Sequence, residues 1–336
     1  MKIVVDRNIP FIQAPLSRLG KVIALPGSEI DAGVMRDADI LLTRTRTRCD
    51  AALLDGSRCR FIGTATIGTD HIDLGYCRGR GITVANAPGC NAPAVAQWVL
   101  AAAMSHIQPG EHLADKTIGV IGAGHVGSIL IRWASALGMN VLVNDPPREE
   151  AGLRDHDYTT LDRIAREADI ITVHTPLTHD GPHPTHHLID MEYVNSMCRR
   201  PMLLNAARGP VTDTRALLHG LGTGKLSAVG IDCWEGEPGI NPLLLHSAAV
   251  ATPHIAGYSL EGKIRASQMV LDALSVHLGL ATPLRADAPE VGPVAESISE
   301  DAICYDISAD TAVLKSNPEK FEDLRNNYIL RPEPRG

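Results

Sequence analysis

Three polar residues follow apolar, strand-like runs in the second half of the chain and could together hold an anion and move a proton. They are Arg208, Glu237 and His254, each placed just after a different run. A guanidinium grips a carboxylate through two parallel N–H bonds. An imidazole accepts a hydroxyl proton, and a nearby carboxylate stabilises the imidazolium that results. With a hydride acceptor the set could oxidise a 2-hydroxy acid, although lone polar residues after strands are more often solvated surface side chains.

A glycine-rich motif could bind that hydride acceptor. The motif Gly122-Ala123-Gly124-His125-Val126-Gly127 lies between a strand-like run and a helical pattern. Its glycines allow a tight turn, close approach of a pyrophosphate and close packing of the helix on the strand, and the helix N-terminus offers N–H groups to the phosphates. Asp145, after the next strand, could bind ribose hydroxyls and would repel a 2′-phosphate, so NAD is expected rather than NADP. The alternative is an ordinary strand-to-helix turn followed by a surface acid.

Short apolar runs alternate with helical patterns along most of the chain, which predicts parallel sheets covered by helices on both faces. Strands are predicted at residues 2–6, 39–42, 61–64 and 82–86, and again at 117–121, 140–144, 170–173, 202–205, 228–231 and 249–251. Helices are predicted at 91–106, 126–137, 213–221 and 259–278. The fold class is therefore α/β with two doubly wound sheets. Because strand ends of such a sheet face one crevice, the three polar residues are expected to meet.

Composition and charge argue against several classes of protein. The chain has 336 residues, a hydrophobic content of 44% and a formal net charge of −8, as in folded acidic proteins. The basic run at 44–48 is too short to follow a duplex, so no nucleic-acid partner is expected. No apolar run approaches the ~18–20 residues of a membrane span, so no membrane partner is expected. Charge close to the N-terminus and widely spaced cysteines predict a cytoplasmic protein.

A cluster of histidines in one loop raises the question of a metal. These residues are His179, His183, His186 and His187. Their spacing fits no zinc pattern, no cysteine accompanies them, and the proposed chemistry needs no metal. No metal site is expected.

The segments around the three polar residues resemble the signature blocks of the D-isomer-specific 2-hydroxyacid dehydrogenases. The blocks are Asn205-Ala206-Ala207-Arg208-Gly209, Glu235-Gly236-Glu237-Pro238 and Thr252-Pro253-His254-Ile255-Ala256-Gly257. The resemblance implies that Arg208 binds the substrate carboxylate and C2 oxygen, that Glu237 pairs with the catalytic histidine and that His254 is the acid/base. Glu235 is assigned to surface structure. The resemblance also implies that the NAD site includes Thr175, Ala206, Ala207, Arg208, Asp232 and Gly257, beside the glycine motif and Asp145.

One branch of this family, which oxidises 4-phospho-D-erythronate in vitamin B6 biosynthesis, is similar over residues 1 to about 280. The matching stretches include Gly63-Thr64-Ala65-Thr66-Ile67-Gly68-Thr69-Asp70-His71, Asp145-Pro146-Pro147-Arg148 and Ile255-Ala256-Gly257-Tyr258-Ser259. The resemblance implies that Thr45, Thr66 and Tyr258 contact a phosphorylated hydroxy acid. Arg44 is the expected phosphate ligand because that end of the substrate is dianionic. Its alternative is a solvated strand edge, as for Arg46 and Arg48.

Two other functions compete with this one. The first is another D-2-hydroxyacid dehydrogenase, such as one acting on D-3-phosphoglycerate. Thr66, where those enzymes usually have glycine, and the bulk of Tyr258 argue against it. The second is a non-catalytic, dinucleotide-sensing interaction protein, which could dispense with the complete set of three polar residues.

The resemblance implies a discontinuous domain organisation. A NAD-binding Rossmann domain, 96–256, is inserted in a flavodoxin-like substrate domain formed by 1–95 and 257–284. Residues 285–336 form a small C-terminal dimerisation segment, with a helix expected near 318–328. Because this segment is too short for a core of its own, we expect it to bury its apolar residues against a second chain, which predicts a homodimer.

Overall fold

The structure, a computed structural model, describes residues 1–303 and 305–334. The strands are β1 (Lys2–Asp6), β2 (Lys21–Leu25), β3 (Ile40–Thr43), β4 (Phe61–Thr64), β5 (Thr83–Ala85), β6 (Thr117–Ile121), β7 (Asn140–Asn144), β8 (Ile170–Val173), β9 (Met202–Asn205), β10 (Ala228–Ile231) and β11 (Val250–Ala251). The helices are α1 (Gln13–Ser17), α2 (Ala32–Met35), α3 (Ala51–Leu54), α4 (Leu74–Gly79), α5 (Ala92–Met104), α6 (His125–Ala136), α7 (Pro146–Glu150), α8 (Leu161–Glu167), α9 (Met191–Ser196), α10 (Thr214–Thr223), α11 (Pro242–Ser247), α12 (Leu260–His277), α13 (Glu300–Ile303), α14 (Ile307–Ser316) and α15 (Phe321–Asn326).

These elements form two compact units, each built on one parallel sheet. The first unit contains residues 1–91 and 259–293, and the second contains residues 92–258 and the described residues from 294 onward. The residues expected to form a separate C-terminal segment are therefore divided between the two units. The predicted α/β fold class with two parallel sheets is confirmed.

The first unit has five parallel strands in the order β2-β1-β3-β4-β5. This is the flavodoxin-like order, in which the chain reverses direction across the sheet between β1 and β3. The strands β1, β3 and β4 are almost fully buried because one apolar cluster, which includes α12, covers one face and a second cluster covers the other. Ser259 caps α12 by accepting the N–H of Gly262 over 3.0 Å.

The second unit has six parallel strands in the order β11-β10-β9-β8-β6-β7. A single bridge between Val143 and Tyr158 adds a further strand position beside β7. With that position counted, the order around β6 is that of a dinucleotide-binding fold, whose ligand crevice lies at the carboxyl ends of β6 and β8, where the strand order reverses. The Ala-rich α5, buried along nearly its whole length, packs on α6 at one face of this sheet.

The described C-terminal residues complete the core of the second unit. Ile303 and Ile307 join the apolar cluster around α5, and Leu314 and Phe321 join the cluster on the other face of the sheet. The expectation that these apolar residues need a second chain to bury them is wrong, since all four are at most 3% exposed in the single chain.

Among the residues that the structure describes, no helix is both long and apolar enough to cross a membrane.

Candidate active site

The three polar residues predicted from the sequence follow three adjacent strands of the second unit. Arg208 follows β9, Glu237 follows β10 and His254 follows β11, and these strands are neighbours in the sheet. Parallel strands end on the same edge, so one edge carries all three residues. Each side chain is half-buried.

A short hydrogen bond joins His254 to Glu237. The Nδ1–H of His254 donates to Oε1 of Glu237 over 2.6 Å. Since a carboxylate can only accept, the proton lies on Nδ1, and Nε2 is the basic position of the neutral ring. Burial opposes the charge of Glu237, but the bond and charge of His254 and the Trp234 N–H outweigh it, so the pKa of this carboxyl lies below its ordinary 4.5. Glu237 thus stays ionised wherever a histidine titrates.

The loop that carries Arg208 packs directly on the loop that carries Glu237. A Cβ added at Gly209 would lie 2.0 Å from the carbonyl oxygen of Trp234, so only glycine permits this approach. The amide of Asn205 donates to the carbonyl of Arg208 over 3.0 Å and fixes the turn. Nη1 of Arg208 donates to the Ala207 carbonyl over 2.8 Å, and a guanidinium offers further donors for a carboxylate.

Asp232 fixes the backbone of the residues that follow His254. Its carboxylate accepts the N–H groups of Ile255 (2.7 Å) and Ala256 (3.0 Å) and the hydroxyl of Thr252 (2.6 Å). Asp232 is 1% exposed, and burial raises the pKa of its carboxyl although His254 and these donors oppose the rise. His254 itself has a φ of +58°, a left-handed backbone that side-chain-bearing residues rarely adopt.

The glycine motif has the local geometry that a dinucleotide requires. Gly122 has a φ of +96°, and a Cβ there would lie 2.9 Å from the backbone of His174. A Cβ at Gly127 would lie 1.9 Å from the carbonyl oxygen of Gly122. A Cβ at Gly124 would meet no described atom within 4 Å, so this position faces open space where a pyrophosphate fits. His125 and Val126 begin α6 directly after Gly124, and the N–H groups of a helix N-terminus suit the binding of phosphates.

The other predicted NAD-site residues surround the same strand ends. Asp145 accepts the N–H groups of Ala123 (2.8 Å) and Arg148 (3.2 Å), and its half-buried carboxylate retains acceptor capacity for hydroxyls. Thr175, after β8, has a buried hydroxyl with no hydrogen-bond partner among the described residues, which fits a ligand atom at that position. Ala206 and Ala207 follow β9, and Gly257 follows the backbone held by Asp232. These features together fit NAD.

Sequence reasoning missed two arginines from the described C-terminal residues. Arg325, half-buried on α15, hydrogen-bonds Tyr258. Burial opposes its charge, but Tyr258 and Glu237 outweigh that and raise the pKa of the guanidinium. Arg331 binds the backbone that follows His254. Arg325 lies within the helix expected near 318–328, but nothing in the sequence marked either arginine as part of the site.

Three predicted substrate residues lie in the first unit, after β3 and β4. Thr45 is exposed. Thr66 is half-buried, and its hydroxyl forms a 2.6 Å hydrogen bond with the hydroxyl of Thr64. Nε of Arg44 donates to the fully buried carboxylate of Asp6 over 3.2 Å, and the Arg44 side chain is 16% exposed. Arg44 is therefore held by an ion pair rather than solvated. The fourth, Tyr258, lies in the second unit.

The loop histidines make separate contacts, either hydrogen bonds to different carboxylates or stacking between rings. His183 donates to Glu150 (2.8 Å) and His187 to Glu235 (2.6 Å), while the His186 ring stacks on that of His187. Ligand atoms of His187, Asp213 and Glu235 lie within 4.8 Å of one another, which is the one grouping of the described residues that could hold an ion.

Comparison with known proteins identifies the family. A family model described as "D-isomer specific 2-hydroxyacid dehydrogenase, NAD binding domain" matches residues 91–256. An erythronate-4-phosphate dehydrogenase of Bacteroides fragilis is 44% identical over 343 residues, which cover 99% of this chain and 97% of that protein. A Citrobacter koseri protein of the same name is 40% identical and covers 99% and 92%.

Solved structures agree at the level of the fold and the cofactor. A D-lactate dehydrogenase from Aquifex aeolicus, complexed with NAD and lactic acid, has a TM-score of 0.69 and 27% identity over 86% of this chain and 100% of that one. The chain is thus an NAD-dependent dehydrogenase by family as well as by the geometry of its glycine loop. It belongs to the erythronate-4-phosphate dehydrogenase family of the D-isomer specific 2-hydroxyacid dehydrogenases.

Proposed function

We propose that this protein oxidises 4-phospho-D-erythronate at C2 to (R)-3-hydroxy-2-oxo-4-phosphobutanoate, with NAD, in the biosynthesis of pyridoxal 5′-phosphate. The names of the relatives support the substrate. The single observation that carries the chemistry is the 2.6 Å bond from His254 to Glu237 on a strand edge that also bears Arg208. Neither D-3-phosphoglycerate oxidation nor a purely dinucleotide-sensing role is favoured by any of these features.

The mechanism assigns one task to each of the three side chains. Nε2 of His254 accepts the C2 hydroxyl proton, and the ionised Glu237 stabilises the imidazolium that forms. Arg208 holds the substrate carboxylate and the C2 oxygen, and so stabilises the carbonyl as it develops. NAD, when bound, supplies the acceptor for the C2 hydride. The products are the 2-oxo acid, NADH and a proton that leaves through His254.

Thr45, Thr66, Arg44 and Tyr258 are the further proposed substrate contacts. The phosphate adds about two negative charges, and a dianion removed from water without a cationic partner is costly. Arg44 is the proposed ligand. Its Nε is used by Asp6, but the two terminal nitrogens of a guanidinium can still grip an anion.

A substrate panel tests the function. NADH formation is measured at 340 nm with 4-phospho-D-erythronate, D-erythronate and D-3-phosphoglycerate, each with NAD and with NADP. We expect the highest kcat/KM for 4-phospho-D-erythronate with NAD. Equal or better turnover of D-3-phosphoglycerate would transfer the protein to that activity, and no turnover of any hydroxy acid would refute dehydrogenase function.

We also propose a homodimer in the cytoplasm. The support for a dimer is the exposure of large apolar side chains on the second unit, Val313 at 46% and Ile329 at 89%. The support for the cytoplasm is that the six described cysteines are unpaired thiols, as a reducing compartment maintains them.

A further inference from the structure

A buried guanidinium reaches the loop that carries His254, residues 254–258, which we call the His254 loop. Arg331 is 6% exposed. Its donors reach the Gln97 side chain (3.2 Å) and the backbone carbonyls of Ile255 (3.1 Å), Tyr258 (3.4 Å), Ala94 (2.9 Å) and Ala256. Three of these five acceptors belong to the His254 loop. The Tyr305 ring lies 4.5 Å from the guanidinium carbon and supports its flat face.

The His254 loop is held from its N–H side as well. Asp232 accepts the N–H groups of Ile255 and Ala256, and Arg331 donates to the carbonyls of the same two residues. Asp232 and Arg331 are both buried, so water does not compete for these bonds, and each is stronger than an exposed one. Two consecutive residues, Ile255 and Ala256, are thus fixed at both their N–H and their C=O groups.

The position of His254 depends on this backbone. His254 precedes Ile255 directly and has a left-handed φ of +58° that its surroundings must maintain. Its ring has to keep Nδ1 on Glu237 while it presents Nε2 to the substrate hydroxyl. A displacement of about 1 Å in such a group costs on the order of 10²-fold in rate.

We propose that Arg331 is a positioning residue for the oxidation, because it fixes the backbone of the His254 loop and thereby the imidazole. It touches neither the substrate nor the reacting atoms. A lysine cannot replace it, since one ammonium lacks the planar fork that reaches several carbonyls at once. The kinetic part of this inference rests on the proposed function, whereas the backbone part does not.

The test compares three variants. Arg331→Met removes the donors and keeps an unbranched apolar chain, and Arg331→Lys keeps the charge without the fork. The control is Lys315→Met. Lys315 comes from the same stretch of chain and also donates to backbone carbonyls, those of Ala248 (2.6 Å) and His246 (3.1 Å), but to none in the His254 loop. The Lys315→Met variant therefore shows how much kcat and hydrogen exchange change when α14 alone is loosened.

For Arg331→Met we expect kcat for 4-phospho-D-erythronate to fall about 10²-fold, with the KM values for substrate and NAD little changed. Arg331→Lys should lie between this variant and the parent, and Lys315→Met should retain the parent kcat. Hydrogen exchange in peptides that cover 254–258 should quicken in both Arg331 variants and stay at the parent rate in Lys315→Met.

A folded Arg331→Met with parental kcat and parental exchange would overturn the proposal, as would an equal loss of kcat in Lys315→Met. If Arg331→Met does not fold, Arg331→Lys decides by the same comparisons. If the parent itself oxidises no 4-phospho-D-erythronate, the proposed function fails and the exchange rates alone decide the role of Arg331.

Discussion

The hydrogen bond from His254 to Glu237 makes the pH dependence of oxidation a direct test of the pair. Oxidation should fall at low pH, on the acid limb of the pH profile, because a protonated His254 cannot accept the hydroxyl proton. Glu237 has a pKa below 4.5 and remains ionised across this limb, so its charge favours the protonated imidazole there. In Glu237→Gln this attraction is lost, and the acid limb of kcat/KM should move to lower pH. The maximal value should also fall, by about 10-fold or more, because the ring is less well oriented. An unmoved limb, or one moved upward, would contradict the pairing.

Arg208→Lys tests the need for a forked cation. The variant keeps the positive charge, but one ammonium cannot bind the carboxylate and the C2 oxygen in the same plane. We expect kcat/KM to fall about 10²–10³-fold, as for loss of a transition-state electrostatic contact, with thermal stability close to that of the parent. Arg215→Lys, at a strongly exposed position, is the control. Near-parental activity in Arg208→Lys would remove this residue from the mechanism.

Arg44→Ala tests how the phosphate is recognised. The variant should lower kcat/KM for 4-phospho-D-erythronate by an amount that corresponds to about 1.5–3 kcal/mol of lost binding free energy in the transition state. This is the usual value of hydrogen bonds to a charged group. The variant also leaves the buried Asp6 carboxylate without its ion-pair partner, so some stability is lost. Activity on unphosphorylated D-erythronate in the same variant corrects for that loss, and the selectivity ratio is the measured quantity. If the ratio survives, the phosphate is bound by other cations.

The glycine loop and α6 allow a paired prediction about one turn. In Gly127→Ala the new Cβ would lie 1.9 Å from a backbone oxygen, which no side-chain movement relieves, so the protein should lose about 1–3 kcal/mol of stability or more. In Gly124→Ala the Cβ enters open space and the φ of −71° suits alanine, so the fold should persist. Isothermal titration should nevertheless show weaker NAD binding in Gly124→Ala. Parental NAD affinity in that variant would place the pyrophosphate elsewhere.

The sequence predicted the buried strands and long helices well, and the misses have physical causes. β6 to β10 agree with the predicted ranges because each is a continuous apolar run between helices. β2 was missed because it is an edge strand with no fully buried residue. α14 was missed because its buried stripe, Ile307, Thr311 and Leu314, has helical spacing but places a polar threonine at its centre. A hydroxyl that bonds the helix backbone can be buried there at little cost.

Site residues could be predicted from the sequence only where they follow strands and lie in blocks that resemble those of the family. Arg208, Glu237 and His254 met that condition, and the structure places them on adjacent strands. Arg331 did not, since four of its five acceptors are backbone carbonyls far away in the sequence, and a carbonyl has no residue type to recognise. Likewise the pairing of Arg44 with Asp6 depends on the neighbouring positions of β1 and β3 in the sheet.

The assembly of the whole protein is open to direct measurement. Sedimentation velocity at micromolar concentration should show a species of about twice 35.9 kDa. Ile329→Lys, at 89% exposure on the second unit, should shift the protein toward monomer because it buries a charge in an apolar contact. Val276→Lys, at 82% exposure on the first unit, should not. A parent that sediments only as a monomer refutes the dimer.

The division of each unit into two stretches of chain also orders events during synthesis. The sheet of the first unit lacks α12 until residues 259–293 have been made, and the sheet of the second lacks α14 and Arg331 until later still. Domains usually fold in turn as the nascent chain emerges, but here the earlier unit waits for residues translated after the whole second sheet. A chain that ended before Arg331 would therefore contain His254 but lack the guanidinium that binds the backbone of the next two residues.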